Sequence, residues 1–427
     1  MPMSAQFEQR LIPKLAAIKE EFGTPFHIYD EVGIRLTATE LIEAFSIVPS
    51  GFNEFFAVKA NPNPRIMQIM REFDFGFDCS SIPEIRLAHG VDTPPELRMY
   101  TSNNTAIAEF EEVLASGGIL NLDDITLLDK LPRMPELICF RYNPGPDRTG
   151  NAIIGDPVEA KYGVSKQQII PAYRKARQMG AKIFGLHTMV CSNELNTQYM
   201  IETVRMLKDV IEMIHAQLGI EFEFINMGGG LGIPYRPEDK PLDLELMANE
   251  IVKILHELKN KVGFMPKLFM ESGRYMAGPH GVLVTQVINQ KHIYREYRGV
   301  DACMSALMRP AVYGAYHHQA VYRKINGQYY LVEMGRFDEV VDVVGSLCEN
   351  WDKFAVQRLL PKMQEGDLLV IQDTGAHGHA MGFTYNGRLR PQELLLRFDG
   401  SVELIRRAET AEDYFATLNF QPKVLTF

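Results

Sequence analysis

The sequence predicts an α/β chain: a (β/α)8 barrel of the TIM type over residues 32–278, followed by a C-terminal mainly β domain over 279–427 that also takes in residues 1–31. Three observations predict it. Eight short apolar or β-prone runs recur between residues 54 and 274. Most are separated by segments whose apolar residues return every three or four positions, the rhythm of a helix. Beyond Gly281 the long helical segments stop, and short alternating runs are punctuated by turn signals.

The elements follow in order. MPMSAQFEQRLIPKLAAIKEEFG reads as a short amphipathic helix without the apolar run of a signal peptide. PFHIYD, 25–30, is an extended run ahead of the barrel that can cross into the β domain. The barrel runs are EFFAVKA (54–60), FDFGFDCSS (73–81), ELRMYTSNN (96–104), GILNLDD (118–124), ELICFRYNPG (136–145), KIFGLHTMV (182–190), EFEFINMGGG (221–230) and KLFMESGR (267–274). Helical periodicity is clearest in PRIMQIMREF, TQYMIETVRMLKDVIEMIHAQLG and ELMANEIVKILHELKNKVG. Strand–helix alternation over about 240 residues matches a closed barrel, with a doubly wound open sheet as the competing architecture. In the β domain, VLVTQVINQKHIY, QYYLVEMG, VVDVVGSLC and DLLVIQDTG are strand-like, and INGQ, QEGD, YNGR and FDGS mark turns.

Composition narrows the function. A net charge of −10, from 44 basic and 54 acidic residues, argues against a nucleic-acid surface and disfavours anionic membranes. No stretch approaches the ~20 apolar residues needed to span a bilayer. The five cysteines are scattered with no C-x-x-C pair, so neither a metal site nor a disulfide framework is indicated. Reduced thiols and a cytoplasmic location are expected.

A barrel carries its active site at the C-terminal ends of its strands. There the sequence puts Lys59, Asp78, Ser102, Asn103, Asp123, Arg141, Asn143, His187, Gly228 to Gly230 and Glu271. A lysine closing an apolar strand is costly to bury charged. A Schiff base removes that cost, while a snorkelling lysine is the plainer explanation. The Gly228-Gly229-Gly230 run can bring backbone N–H groups close to an anion, or be only a tight turn. Glu271 can keep a heterocyclic nitrogen protonated, and Arg274 can bind a phosphate or carboxylate; a surface Glu–Arg pair is the alternative. For His187, a satisfied core histidine is the plainer explanation.

Together these motifs resemble the fold type III, alanine-racemase-like pyridoxal-phosphate (PLP) decarboxylases, nearest to diaminopimelate decarboxylase, with ornithine and arginine decarboxylases as relatives. The blocks are FFAVKANPNP, FDCSSIPEI, INMGGGLG, MESGR, ALMRPAVYGAYHH, LCENWD and DTGAHGHAMGFTYNGRLRP, in the family's order. The resemblance implies that Lys59 carries the cofactor and that Asp78 lies near its ring. It implies His187, Ser192, Gly228, Gly229, Gly230, Gly273, Arg274, His377 and Tyr385 around the cofactor, with Glu271 at the pyridine nitrogen. Arg309 and Tyr313, with Arg274 and Glu349, are implied at the substrate. Cys348 and Glu349 are implied to reach the other protomer's site in a homodimer, with Lys59, Glu271 and Cys348 catalytic.

The implied reaction is decarboxylation of meso-diaminopimelate to L-lysine and CO2, with another basic or carrier-bound amino acid as the alternative substrate. A racemase, a non-catalytic PLP-binding regulator and a cofactor-free barrel aldolase are the rivals. Three positions depart from the family's pattern. Met189 stands where a histidine usually stacks on the ring, Ser272 where proline is usual, and His377 where a tyrosine is common.

Overall fold

The computed structural model describes residues 3–150 and 155–421. Residues 1–2 of the expected N-terminal helix and 422–427 of the expected β domain lie outside them. The chain divides into two compact units: Val32–Pro279, and the residues up to Glu31 together with those from His280 onward.

Strands are numbered along the chain, so β1 is Phe26–Asp30 and belongs to the second unit. The first unit is built on β2 Phe52–Ala57, β3 Gly76–Cys79, β4 Arg98–Ser102, β5 Ile119–Leu122, β6 Leu137–Tyr142, β7 Ile183–Thr188, β8 Phe222–Asn226 and β9 Lys267–Met270. They pair in parallel in that order, and β9 closes on β2 with Phe52 opposite Leu268 and Glu54 opposite Met270. The closed barrel is therefore present, and the open sheet is excluded.

Local chemistry sets the helices between them. Pro64–Arg71 opens with Asn63 accepting from the Arg65 N–H and with proline at the first helical position. Thr197–Leu218 is capped by Asn196 and ends on Gly219 in the left-handed region. Leu244–Val262 starts at Asp243, which accepts from the Leu246 N–H. The return from β5 to β6 is only a 3-10 turn, Ile125–Lys130, because Pro132 and Pro135 follow it.

The second unit holds a ten-stranded sheet. After β1 come β10 Gly281–His292, β11 Glu296–Val300, β12 Gln319–Ile325, β13 Gln328–Leu331, β14 Glu339–Val344, β15 Lys353–Leu360, β16 Leu368–Ile371, β17 Gln392–Leu396 and β18 Val402–Arg406. The main path runs β13-β12-β16-β10-β1-β17-β18. So β1 lies inside the sheet, antiparallel to β10 and parallel to β17, with every residue buried. Ala5–Leu11 and Leu15–Phe22 pack Phe7, Leu11 and Leu15 with Phe26, Ile28, Val282 and Leu394. These are two helices rather than the single one expected, because Pro13 has no N–H to continue the first.

Candidate active site at the barrel mouth

The barrel interior is plugged by Phe55, Met99, Ile119, Cys139, Phe224 and Phe269. Phe224 and Phe269 stack with ring centroids 4.4 Å apart. Side chains alternate along a strand with a period of two. Two residues after each plug residue therefore face the same interior, one layer nearer the strand ends. These are Ala57, Thr101, Asn121, Arg141, Asn226 and Glu271. Asp78 and His187 follow Gly76 and Gly185 in the same way. An apolar plug thus carries a polar layer at the C-terminal mouth.

Lys59 lies in the 3-10 turn Val58–Ala60, just past β2. Its Nζ donates to Asp78 Oδ2 at 2.8 Å, with the lysine side chain 49% exposed at the mouth and Asp78 buried. Glu271 is buried, accepting from Asn226 Nδ2 at 2.7 Å and lying 3.1 Å from His187 Nε2. Dehydration works to lower the Lys59 pKa, but Asp78 and Glu271 outweigh it and hold the ammonium above its usual range. Burial would raise Glu271, yet His187, Lys59 and Asn226 hold it below the usual carboxylate range. Asp78 goes the other way, pushed up by burial and by the Glu271 charge against the pull of Lys59. The mouth therefore sets an anionic Glu271 beneath a lysine, with Asp78 as that lysine's partner.

A cavity of about 370 Å³ opens above them, lined among others by Lys59, Asp78, Asn103, Arg141, Tyr162, Met189 and Glu271. Arg141 Nε donates to Asp123 Oδ1 at 2.6 Å, and its Nη2 bonds Asn103. Its guanidinium also lies 5.0 Å from the Tyr162 ring centroid. The same Asp123 oxygen accepts the Gly163 N–H at 2.8 Å, which fixes the following loop against the arginine.

The glycine run after β8 must lack side chains. A Cβ on Gly228 would meet the Thr188 carbonyl at 2.2 Å, one on Gly229 the Glu271 carbonyl at 2.4 Å, and one on Gly230 the Cys191 carbonyl at 2.7 Å. The loop is thereby pressed between the chain leading to Ser192 and the chain carrying Glu271. Of the three N–H groups that the run can offer to an anion, one is already engaged. The Gly228 N–H is spent on Asn226 Oδ1 at 2.9 Å, so this residue builds the turn instead. Among the described residues, the N–H groups of Gly229 and Gly230 meet no protein acceptor. Gly229→Ala should push the Glu271 backbone aside. Overpacking of this kind costs typically about 1–3 kcal/mol, so cofactor affinity should fall roughly tenfold or more in a reconstitution titration.

The family model described as "Pyridoxal-dependent decarboxylase, pyridoxal binding domain" matches residues 39–278. The chain belongs to this family. It is a PLP-dependent amino-acid decarboxylase of fold type III. A protein named TabA from Pseudomonas amygdali pv. tabaci is 44% identical, over 99% of this chain and 97% of its own length. A diaminopimelate decarboxylase from Methanothermobacter thermautotrophicus is 36% identical, over 96% of this chain and 94% of its own. A crystal structure of diaminopimelate decarboxylase from M. jannaschii in co-complex with L-lysine superposes with a TM-score of 0.86 at 29% identity, covering 96% of this chain and 95% of that one.

The residues of the decarboxylase fit PLP. His187 Nδ1 and Asp78 Oδ1 are buried with no hydrogen-bond partner. The Gly229 and Gly230 N–H groups, which meet no protein acceptor among the described residues, are the donors that would hold the PLP phosphate. Arg274 is buried nearby in sequence, its Nη1 2.5 Å from the Tyr235 hydroxyl. Gly273 allows that segment to touch the turn carrying Lys59, since a Cβ there would lie 2.6 Å from Ala60 Cβ. Ser192 is half-buried on the loop after β7, where the Glu194 N–H bonds the Gly230 carbonyl at 2.8 Å.

The remaining predicted residues of the decarboxylase lie in the second unit. Arg309 is buried, with Nη1 2.9 Å from His317 Nε2. Tyr313 and Tyr385 are exposed, as is Cys348, whose N–H donates to Asn386 Oδ1 at 2.8 Å. Glu349 Oε1 accepts from the Trp351 N–H at 3.1 Å. His377 adopts a left-handed backbone, φ 57°.

Three residues escaped the sequence reading. Asn226 orients Glu271, and its place at a strand end two residues before the first glycine was a usable signal. Tyr162 faces Arg141 from a loop with no motif. Glu54 is a buried acid in β2. Among the described residues, no helix is long and apolar enough to cross a membrane, and no group of three His, Cys, Asp or Glu side chains could hold a metal ion.

Proposed function

We propose that this decarboxylase acts on meso-diaminopimelate and releases L-lysine and CO2. The observation that carries the reading is the cavity over Lys59, edged by Ser102, Asn103, Asn104 and Arg141. Such a wall suits an amino acid that is polar at both ends. The likeness to proteins named diaminopimelate decarboxylase extends over nearly the whole chain, β domain included, and supports the same substrate. PLP, when bound, supplies the electron sink for the departing carboxylate.

The chain's own residues do the rest. Lys59 would hold the cofactor, and its amine is placed to serve as a base or acid at the mouth. Glu271, oriented by Asn226 and His187, keeps the ring nitrogen protonated. Gly229, Gly230, Arg274, Ser192, His377 and Tyr385 are assigned to the cofactor's phosphate and ring. Arg309 and Tyr313 take the far end of the substrate. We assign Cys348 and Glu349 to the neighbouring site of a cytoplasmic homodimer, with Cys348 or Lys59 returning the proton.

Ornithine and lysine lack a distal carboxylate and would forgo the charge-assisted contact assigned to Arg309, at about 1–3 kcal/mol. CO2 release should therefore favour meso-diaminopimelate by roughly tenfold or more in kcat/KM over ornithine, arginine and lysine, and should require added PLP in apoprotein. A preference for ornithine would replace this substrate. The second reading, another basic or carrier-bound amino acid, is favoured by Met189 in the cavity wall, which cannot hydrogen-bond or titrate. The same panel, extended by an amino acid tethered to a carrier protein, decides between them.

A further inference from the structure

β9 ends at Met270, and the next three N–H groups find separate acceptors. Glu271 N–H bonds the Gly228 carbonyl at 2.9 Å, and Gly273 N–H bonds the Glu271 carbonyl at 3.2 Å. Between them, the Ser272 N–H donates to Glu54 Oε1. Glu54 pairs opposite Met270, so its carboxyl extends the β2–β9 ladder one step past the last strand residue. It has the opposite parity from Phe55 and Ala57, and so is not part of the mouth layer.

We propose that Glu54 is a positioning residue of the decarboxylase site: it holds residue 272 by its N–H and thereby sets the carboxylate of Glu271 and the guanidinium of Arg274 on either side. The inference rests on the roles proposed above for Glu271 and Arg274, and is independent of the substrate.

Three observations support it. Glu54 and Ser272 are both about 1% exposed, so the bond is made away from water. Glu54 Oε2 and Ser272 Oγ are both buried without a partner, so the carboxyl makes one bond and leaves its other oxygen unmet. Burial, with added repulsion from Glu271 and Asp78, pushes the Glu54 carboxyl up to about 8 against the pull of the Ser272 N–H. An aliphatic side chain would be far cheaper at a site within EFFAV. What Glu54 offers in return is an acceptor for a backbone donor that would otherwise be stranded. That donor exists because residue 272 is not proline. Its φ of −88° is near the range of proline, the residue usual at this place in the family, and proline has no N–H.

The test is a cycle on the full-length protein, read by the PLP dissociation constant from absorbance titration of apoprotein and by thermal unfolding. Glu54→Val strands the Ser272 N–H, and Ser272→Pro strands the carboxyl. Each should weaken PLP binding by about tenfold or more. The double variant removes both halves and should return to within about threefold of the parent. Glu54→Gln keeps an acceptor oxygen and should bind as the parent does. Losses that multiply in the double variant, or a Glu54→Val protein with parental affinity, would overturn the proposal. If Glu54→Val does not fold, Glu54→Asp gives the same reading. Its shorter reach should weaken binding, and parental affinity would count against the proposal. If instead Glu271→Gln binds and turns over like the parent, the role of Glu271 itself has failed, a result separate from the cycle.

Discussion

A Lys59→Ala variant is expected to be colourless after purification with PLP, and to release CO2 at least roughly 10³-fold more slowly than the parent, the scale at which groups touching the reacting atoms act. The physical reason is that no other amine lines the cavity. The fold should barely notice. The lysine is half-exposed, so losing its pair with Asp78 costs at most about 1 kcal/mol, and Asp78, already pushed up by burial and by Glu271, can protonate instead. Lys59→Arg separates the two roles of the residue. It returns a cation to Asp78 and should leave the melting temperature unchanged, yet it cannot bond covalently to an aldehyde and should stay inactive. Activity in either variant within tenfold of the parent would refute Lys59 as the cofactor's anchor.

The second large effect belongs to Glu271. Replacing it with glutamine removes the charge while keeping the shape. One of its oxygens now accepts from Asn226 Nδ2 and the other faces His187 Nε2. An amide NH2 must face one of them, so at least one contact is disturbed. More importantly, the charge proposed to hold a proton on the cofactor's ring nitrogen is gone. Loss of a preorganised charge of this kind typically costs about 10²–10³ in rate. The deficit should fall on kcat, with KM little changed, because the charge is needed only once the carboxylate is leaving. Two neighbours should report it independently. Lys59 loses one of the carboxylates that hold it high, so its titration should move down. Asp78 loses a repelling charge, so its own should also move down. Glu271→Asp retains the charge at a shorter reach and should recover part of the rate.

Much of this was legible in the chain. The eight barrel strands announced themselves because each apolar run ends in polar residues, which is how a plug topped by a reactive layer must be written. Lys59, Asp78 and Glu271 follow from that rule. Half of the strands of the second unit did not announce themselves. EYRGV, QAVYRKI, KFAVQRLL, QELLL and VELIR form β11, β12, β15, β17 and β18, yet charged residues interrupt their alternation. Their strand character comes from the partners they pair with, which propensity alone does not report. Site details failed for a related reason. Glu54 and Ser272 are 218 residues apart, so neither reveals the other along the chain. The Gly228 N–H is taken by Asn226 Oδ1, a bond that the spacing of the two residues alone does not reveal.

The position of β1 has a consequence for how the molecule is made. Its neighbours, residues 281–284 and 392–396, are synthesised only after the entire barrel. During translation FHIYD must wait, apolar and unpaired, while a domain completes downstream of it. Trimming the first thirty or so residues would therefore not remove a dispensable tail. It would take out a central stave of the sheet, and a nascent chain stalled before residue 392 would leave that stave open to the nearest stray strand.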